Sequence, residues 1–306
     1  MAASHPGRLR ALLALRGRLS VRLVAGLLVV SLPIIAALAI LLTRSASSSL
    51  QDDSGLYGSI TAADTALRVG DWAHDRQVDV QALGVAAGGH WTDASALQAN
   101  LATLAPLYDD FDNLIVLDTA GRVRASDPAT PTIAVTGHES WFPAALSAPV
   151  LTDITTGPDG RLVWVVAGPI RDRSGAVVGV VAGDLHESAL QTLMAHRQAG
   201  SGDVRIFNRN HLLVFDSAYT GAQDDASLLG AAGYFRSRLD DPVLDRAAAG
   251  QTGSGRIADL LGQDVIAGYA PVGVLDWAVV VSRSAATVLA PVDGQSHLAL
   301  LLTAIA

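Results

Sequence analysis

The stretch RLVWVVAGPIRDRSGAVVGVVAGD, residues 161–184, decides the fold class of this chain. Two runs rich in valine, 161–170 and 176–184, have the composition of β-strands. Residues 172–175, which lie between them, end in glycine and are typical of a tight turn. We therefore expect an antiparallel hairpin here.

Three more segments have the same composition. Residues 114–117 and 122–126 flank a turn that contains Gly121, residues 204–207 and 212–215 flank 208–210, and residues 265–272 precede 276–282. Because hairpins occur without a regular strand-helix-strand alternation, the pattern predicts the α+β class. We expect two antiparallel-sheet modules in series, a first module at about 101–190 and a second module at about 203–282.

A long helix is predicted before the first module. From residue 45 to about 87 the sequence has no proline, and Leu67, Val69, Trp72, Arg76, Val80 and Leu83 follow steps of mostly three and four residues. Such spacing is typical of a helix that packs one stripe against a core. Residues 185–197 and the segment after 285 are also predicted to be helical.

An uncharged apolar run, 23–42, predicts a transmembrane helix over 23–43. Twenty residues at 1.5 Å per residue span about 30 Å, the thickness of the hydrocarbon core. Several arginines precede the run and only one follows it closely, which predicts a cytoplasmic leader at 1–22 and an exported domain at 45–295. A cleaved signal peptide with its cleavage site at 45–47 is the alternative.

The last residues, 297–306, are apolar up to the final alanine. They are long enough for about half a bilayer, and we expect them to begin a second transmembrane helix. The alternative is a buried or amphipathic terminal helix. If the segment does enter a membrane, the output activity would lie beyond it.

Composition excludes several classes of function. The chain has no cysteine, and its net charge is −8, which makes nucleic acid an improbable partner. The two His-Glu-Ser tripeptides, 138–140 and 186–188, lack the i, i+4 histidine pair of a zinc helix. With no phosphate-binding loop or nucleophile motif either, we predict no enzyme, cofactor or metal site.

The order of these segments resembles a double Cache domain, a PAS-like extracytoplasmic sensor of bacterial chemoreceptors, sensor histidine kinases and cyclic-di-GMP enzymes. The resemblance covers about 45–295 and rests on FDNLIVLDTAGRVRASDP (111–128), HESWFPAAL (138–146), GPIRDRSGAVVGVVAGDL (168–185) and the pair AGYAPV and LDWAVVVS (267–282). It implies that the first, membrane-distal module binds a ligand. The second, membrane-proximal module usually does not.

The resemblance also implies a set of ligand-binding residues. Amino-acid-binding members have an R-x-W-Y motif and an aspartate at the end of the strand after the second hairpin. Trp141 and Phe142 match the aromatic pair and Asp184 matches the aspartate, whereas Glu139 stands where the carboxylate-binding arginine would be. Glu139 and Asp184, together with Asp153, would suit a cationic amine, with the ring of Trp141 facing the cation.

Each of these residues also has a structural interpretation. Trp141 and Phe142 are expected to pack in the core whether or not they contact a ligand. Asp184 could cap a helix that begins near 185, and Glu139 and Asp153 could be exposed loop or strand-end residues.

The predicted function is small-molecule sensing by the ligand-binding part of a chemoreceptor in the cell membrane. The ligand would be an amine or amino-acid-like, and the protein would act as a homodimer. A sensor region of a histidine kinase or a cyclic-di-GMP enzyme is the alternative, and a membrane-tethered extracellular enzyme is a weaker one.

Overall fold

The computed structural model describes residues 7–128, 139–156, 162–186, 189–194, 202–219 and 237–292. The chain divides into two compact units. One runs from Gly55 to Ser284 and contains both sheets. The other comprises the residues before and after it, of which the described ones, 7–54 and 285–292, are helical.

Helix α1 extends over Gly7–Gly89 and includes Pro33. A segment of α1 that starts at Val29 contains an 18-residue window of mean hydropathy 2.0, none of which is buried. Its first apolar side chains are largely exposed, for example Val29 at 72% and Leu41 at 63%. By length and composition it is the one helix of the described residues that could cross a membrane.

The first module contains a five-stranded antiparallel sheet in the order β2-β1-β7-β6-β3. The strands are β1 (Phe111–Asp118), β2 (Val123–Asp127), β3 (Val150–Leu151), β6 (Val165–Arg171) and β7 (Val177–Leu185). Strands β4 (Thr155–Thr156) and β5 (Leu162–Val163) pair separately. The helices are α2 (Ala94–Leu104), which continues as a 3-10 turn over Ala105–Leu107, α3 (Phe142–Ala145) and α4 (Ala189–Met194).

The second module repeats this arrangement in the order β9-β8-β12-β11-β10. Its strands are β8 (Asp203–Phe207), β9 (Leu213–Asp216), β10 (Gly253–Ala258), β11 (Asp264–Val272) and β12 (Trp277–Ser284). A 3-10 turn covers Ser217–Tyr219, and helix α5 covers Pro242–Ala248. In both sheets the strand that comes last in the chain lies at the centre.

Four hairpin turns share one design in which the side chain of the first residue accepts the backbone N–H groups two and four residues later. These first residues are Asp118, Asp172, Asn208 and Asp259. The fourth residue of each turn has a positive φ, and it is Gly121, Gly175, His211 and Gly262 respectively. Glycine adopts this conformation without a steric cost, which explains the Asp-x-x-Gly pattern of three of the turns.

Helix α1 covers one face of each sheet. Its buried residues Ala62, Val69 and Val80 share a cluster with Leu114 and Val116 of the first module and with Val279 and Val281 of the second. Two glycines permit a close approach, because a Cβ on Gly84 would lie 2.8 Å from the Pro169 carbonyl oxygen and one on Gly58 would lie 3.0 Å from the Gly268 nitrogen. The opposite face of each sheet packs against a short helix, α3 or α5.

These elements confirm the predicted α+β class with a long N-terminal helix and two antiparallel sheets. The predicted helix at 185–197 begins too early. Leu185 is still part of β7, its N–H donates to the Trp164 carbonyl at 2.8 Å, and α4 covers only Ala189–Met194. Residues 195–201 and 293–306, including the predicted second membrane segment, lie outside the described residues.

Candidate functional site

The candidate site lies on the face of the first sheet that packs against α3, here called the α3 face. Side chains alternate along a strand, and the pairing of Asn113 with Asp184 and of Ile115 with Ala182 sets the register. The buried strand residues of this face include Asn113, Ile115, Leu117, Ser126, Val165, Ala167, Val180, Ala182 and Asp184. Three of them are polar, and of these Asn113 and Asp184 lie opposite each other at one end of the sheet.

Trp141 and Phe142 pack against this face. Phe142 is 4% exposed and belongs to the apolar cluster of the α3 face, and Trp141 is half-buried against the same cluster. Their ring centroids are 6.0 Å apart in an edge-on arrangement. Phe142 therefore packs in the core as expected, and Trp141 is a partly buried residue at the edge of that cluster.

Asp184 is 3% exposed and lies at the end of β7. Its Oδ1 accepts the backbone N–H of Trp164 at 3.1 Å. The capping interpretation was wrong, because the chain continues as a strand through Leu185 and no helix begins there. Asp184 thus places a buried carboxyl group on the α3 face, at the position where the family resemblance expects the group that holds an amine.

Glu139 begins the turn that leads into α3, since its carbonyl accepts the N–H of Phe142 at 3.1 Å. The residue is partly buried, and its Oε2 atom has no exposed surface. This burial does not fit the interpretation of Glu139 as a fully solvated loop residue. The ten residues before it, 129–138, lie outside the described residues.

Asn113 was missed by the sequence analysis. It is 1% exposed and lies directly across from Asp184 on the neighbouring strand, where facing Cβ atoms are about 5 Å apart. The signal was present, because Asn113 is in phase with Ile115 and Leu117 and a polar residue at a buried strand position is unusual. Asn113 and Asp184 form the polar end of the α3 face.

Asp153 lies elsewhere, at the junction of the two modules. The Trp277 indole N–H donates to its Oδ1 at 2.9 Å, and the Asn208 side-chain amide donates to its Oδ2 at 3.3 Å. Arg209 Nε lies 3.7 Å from Oδ2. Burial raises the pKa of the Asp153 carboxyl above its ordinary value of 3.8, although the hydrogen bond from Trp277 opposes this shift. All three partners belong to the second module.

Arg76 and Asp79 of α1 form a further charged group close to the first sheet. Arg76 makes ion pairs with Asp110 and, at 2.9 Å, with Asp79, and its guanidinium lies 5.8 Å from the Trp72 ring centroid. Burial raises the pKa of Asp79, against the attraction of Arg76. The Arg76 and Asp79 side chains are only 20% and 24% exposed, and the Arg76–Asp110 pair connects α1 to the start of β1.

A cleft of about 300 Å³ lies near the start of β1, with Tyr108, Asp109, Phe111 and Asp127 among its lining residues. Asp127 is opposite Leu114, which packs towards α1. The cleft is therefore on the other side of the sheet from Asp184. Among the described residues no group of three or more His, Asp or Glu side chains could hold a metal ion.

The second module has a different polar group on the equivalent face, here called the α5 face. Arg205 Nε donates to Asp216 Oδ2 at 2.8 Å, and Arg205 Nη1 lies 3.6 Å from Asp259 Oδ2. The three side chains are between 6% and 11% exposed. This face thus carries its own buried cation.

Three solved structures have similar folds. The ligand-binding domain of the Campylobacter jejuni chemoreceptor Tlp3, in complex with 4-methylisoleucine, is 15% identical with a TM-score of 0.56, covering 78% of this chain and 94% of that one. That of the Pseudomonas fluorescens chemoreceptor CtaA, in complex with L-isoleucine, is 17% identical with a TM-score of 0.55, covering 81% and 97%. That of the Pseudomonas aeruginosa amino-acid chemoreceptor PctC, in complex with GABA, is 17% identical with a TM-score of 0.52, covering 76% and 100%.

At these identities the three structures establish a common fold. None of the curated proteins is similar enough to this chain to count as a match. The family model dCache_1, described as a Cache domain, matches residues 42–292, which include α1 from Leu42 onwards and all strands of both modules. The chain therefore belongs to the Cache domain family.

Proposed function

We propose that this chain is the ligand-sensing part of a transmembrane chemoreceptor, and that its first module binds a small cationic amine at the α3 face. Membership of the Cache family supports a sensory role, as does the fold shared with three chemoreceptor ligand-binding domains. Those domains are in complex with 4-methylisoleucine, L-isoleucine and GABA, each of which has an amino group. A sensory role without catalysis accounts for these features best.

The observation that carries the proposal is the position of Asp184 on the same sheet face as Trp141 and Phe142. A carboxylate in a site of low dielectric attracts an ammonium group strongly and can accept its N–H bonds. Trp141 is partly buried at the edge of this face, and its ring would add a surface that favours a cation. Asn113 would contribute a neutral polar group beside the ammonium.

Glu139 decides between an amine and an α-amino acid in this proposal. A ligand carboxylate would require a basic residue near the start of α3, and a second carboxylate there repels it. We therefore favour an amine, and extend the class to ω-amino acids only if their carboxylate points away from Glu139. Asp153 is no longer assigned to the ligand, because its oxygens bind Trp277 and Asn208.

Calorimetric titration of the 306-residue chain in lipid nanodiscs tests the ligand class. Putrescine and GABA represent the cationic group without and with a carboxylate, L-isoleucine represents α-amino acids, and butyrate controls for the acid alone. We expect binding in the order putrescine, GABA, L-isoleucine, with none for butyrate. Preferential binding of L-isoleucine would contradict the role of Glu139, and absence of binding by all amines would contradict the proposal.

We also propose that residues 23–43 anchor the protein in the cell membrane and that residues 45–295 are outside the cytoplasm. The exposed apolar side chains of α1 between Leu27 and Leu42 support an anchor, because lipid would cover them. Protease protection in right-side-out and inverted vesicles tests the orientation. Cleavage of the second module only in right-side-out vesicles is the expected result.

A homodimer is proposed from a stripe on α1 within the larger unit. Leu56, Ile60, Leu67, Val78 and Val85 are 46–77% exposed and lie within about 40° of one another at 100° per residue. The prediction that Leu67 belongs to the packed stripe of α1 was wrong, because this side chain is 68% exposed. Because the chain has no cysteine, Ile60→Cys introduces a unique thiol for disulfide trapping. Rapid cross-linking of Ile60→Cys but not of Asp75→Cys, about 60° round the helix, is expected, and equal cross-linking would contradict this interface.

A further inference from the structure

Three tryptophans meet where the two modules join. The ring centroid of Trp164 is 4.9 Å from that of Trp72 in α1 and 5.4 Å from that of Trp277 in β12. Trp164 is 3% exposed and Trp277 is completely buried. The indole of Trp164, which immediately precedes β6 of the first module, therefore packs directly between the long helix and the central strand of the second module.

Asp153 connects the first module to the second through hydrogen bonds. It lies between β3 and β4 of the first module, and its carboxylate binds the Trp277 indole and the Asn208 amide of the second. The neighbouring carbonyl, that of Thr152, accepts the Trp164 indole N–H at 3.0 Å. Residues 152 and 153 thus position both stacked rings.

Trp164 is also in contact with the candidate site. Its backbone N–H donates to Asp184 Oδ1 at 3.1 Å, and its carbonyl accepts the N–H of Leu185 at 2.8 Å. A change in the position or charge of the Asp184 carboxylate acts first on the backbone that carries the Trp164 ring. The Trp164 ring is buried in a close-packed interior. A displacement of this ring is therefore transmitted to the side chains that contact it.

We propose that Trp164 and Asp153 form a relay that couples Asp184 on the α3 face to strand β12 of the second module. A ligand at Asp184 would shift the backbone at Trp164, and the stack and the Asp153–Trp277 hydrogen bond would transfer this shift to β12. The sensory use of the relay rests on the proposed function. The mechanical coupling from Asp184 to β12 does not, because it is a property of the unliganded protein.

Hydrogen exchange of the full chain in lipid nanodiscs, without any ligand, tests this coupling. Asp184→Ala removes the acceptor of the Trp164 N–H. We expect it to accelerate exchange of the Trp277–Ser284 amides by about threefold, within the range expected for the loss of one hydrogen bond. Asp118→Ala is the matched control, because it removes an aspartate that accepts backbone N–H groups in the same sheet but does not touch Trp164.

Combining Asp184→Ala with a second substitution, Trp277→Phe, distinguishes a relay from a general destabilisation of the fold. Trp277→Phe keeps an aromatic ring in the stack and removes the N–H that binds Asp153. In this background Asp184→Ala should still accelerate exchange in β7 but should accelerate exchange in β12 less than in the otherwise wild-type chain, because the stack remains and the hydrogen bond to Asp153 is gone. Equal acceleration of β12 in both backgrounds, or none in the otherwise wild-type chain, would overturn the proposal. Asp184→Ser replaces the alanine variant if the latter does not fold.

The result is independent of the calorimetric titration. If β12 responds as expected but no amine binds, the relay is retained and the proposed ligand is rejected. If amines bind but β12 does not respond to Asp184→Ala, only the relay is rejected.

Discussion

On the α3 face of the first module, strand β7 carries Asp184 and the neighbouring strand β1 carries Ile115. On the α5 face of the second module, the corresponding positions are Ser282 and Arg205. The correspondence follows from Asp118 and Asn208, which occupy the same place in equivalent turns. Ile115 lies three residues before Asp118, and Arg205 lies three residues before Asn208. Five residues before the same two turn residues are Asn113 and Asp203, which pair with Asp184 and Ser282 of the central strands.

This difference shows that two sheets with the same strand arrangement can place different charges on equivalent faces. The second module supplies its own cation, and Arg205 is buried with the carboxylates of Asp216 and Asp259. In the first module the strand residues of the α3 face include an acid and no basic residue. A charged ligand is therefore proposed to provide on the α3 face what Arg205 provides on the α5 face.

The largest expected effect is on the α5 face. Arg205→Ala leaves Asp216 and Asp259 buried without their cation, and breaking a buried pair in this way costs about 3–5 kcal/mol of the free energy of unfolding. Denaturant unfolding measures the loss. Arg122→Ala, whose side chain is 80% exposed beside Asp118, should have a much smaller effect, and equal losses would show that burial of Arg205 does not matter.

The next effect concerns the α3 face. Asp184→Asn removes the negative charge but keeps an acceptor for the Trp164 N–H, so putrescine affinity should fall by about tenfold to a hundredfold, corresponding to a charged hydrogen bond of ~1.5–3 kcal/mol. Titration calorimetry measures this. Ser282→Ala at the equivalent position, and Asp109→Asn in the cleft on the other side of the sheet, should leave the affinity unchanged. Loss of binding in Asp109→Asn alone would move the site to that cleft.

A smaller effect on stability is expected from substitutions in the equivalent turns at Gly121 and His211. Gly121 has a φ of 78° and His211 a φ of 63°. Gly121→Ala should destabilise the protein by about 1 kcal/mol, because an L-residue is strained in this conformation. His211→Gly relieves the same strain but loses the contact of His211 with Asp245 at 3.4 Å, so thermal denaturation should show little net change. A large loss in His211→Gly would show that this contact outweighs the backbone strain.

The smallest effect is the pH dependence at the junction. Burial raises the pKa of Asp153 in the folded protein, so the folded state binds this proton more tightly than the unfolded chain does. The wild type should therefore gain stability relative to Asp153→Asn as the pH falls towards 3.8, and lose that gain as the pH rises through the folded-state pKa.

Asp118 provides a control of opposite sign. Its slight burial acts to raise the pKa, but hydrogen bonds from Arg122 and Ala120 lower it overall. The wild type should accordingly lose stability relative to Asp118→Asn as the pH falls through the folded-state pKa of Asp118. The same trend for both variants would contradict these assignments.

Much of the fold could be predicted because its signals are local. The Asp-x-x-Gly turns and the valine-rich strands around them lie within about ten residues, and turn chemistry and side-chain alternation act over that distance. The start of the helix predicted at 185–197 was wrong, because a non-local contact keeps Leu185 in the strand and α4 covers Ala189–Met194. Leu185 pairs its N–H with Trp164 and remains in the strand, which no local propensity indicates.

The sequence by itself determined the α+β class, the hairpins, the long helix and the presence of an aspartate at the end of β7. Only the tertiary structure placed Asp153 at the junction, Asn113 beside Asp184 and Arg205 between two carboxylates. The Asp153–Trp277 hydrogen bond joins residues 124 positions apart. Contacts of this length depend on how the two sheets pack together with α1, and that packing is a property of the whole chain.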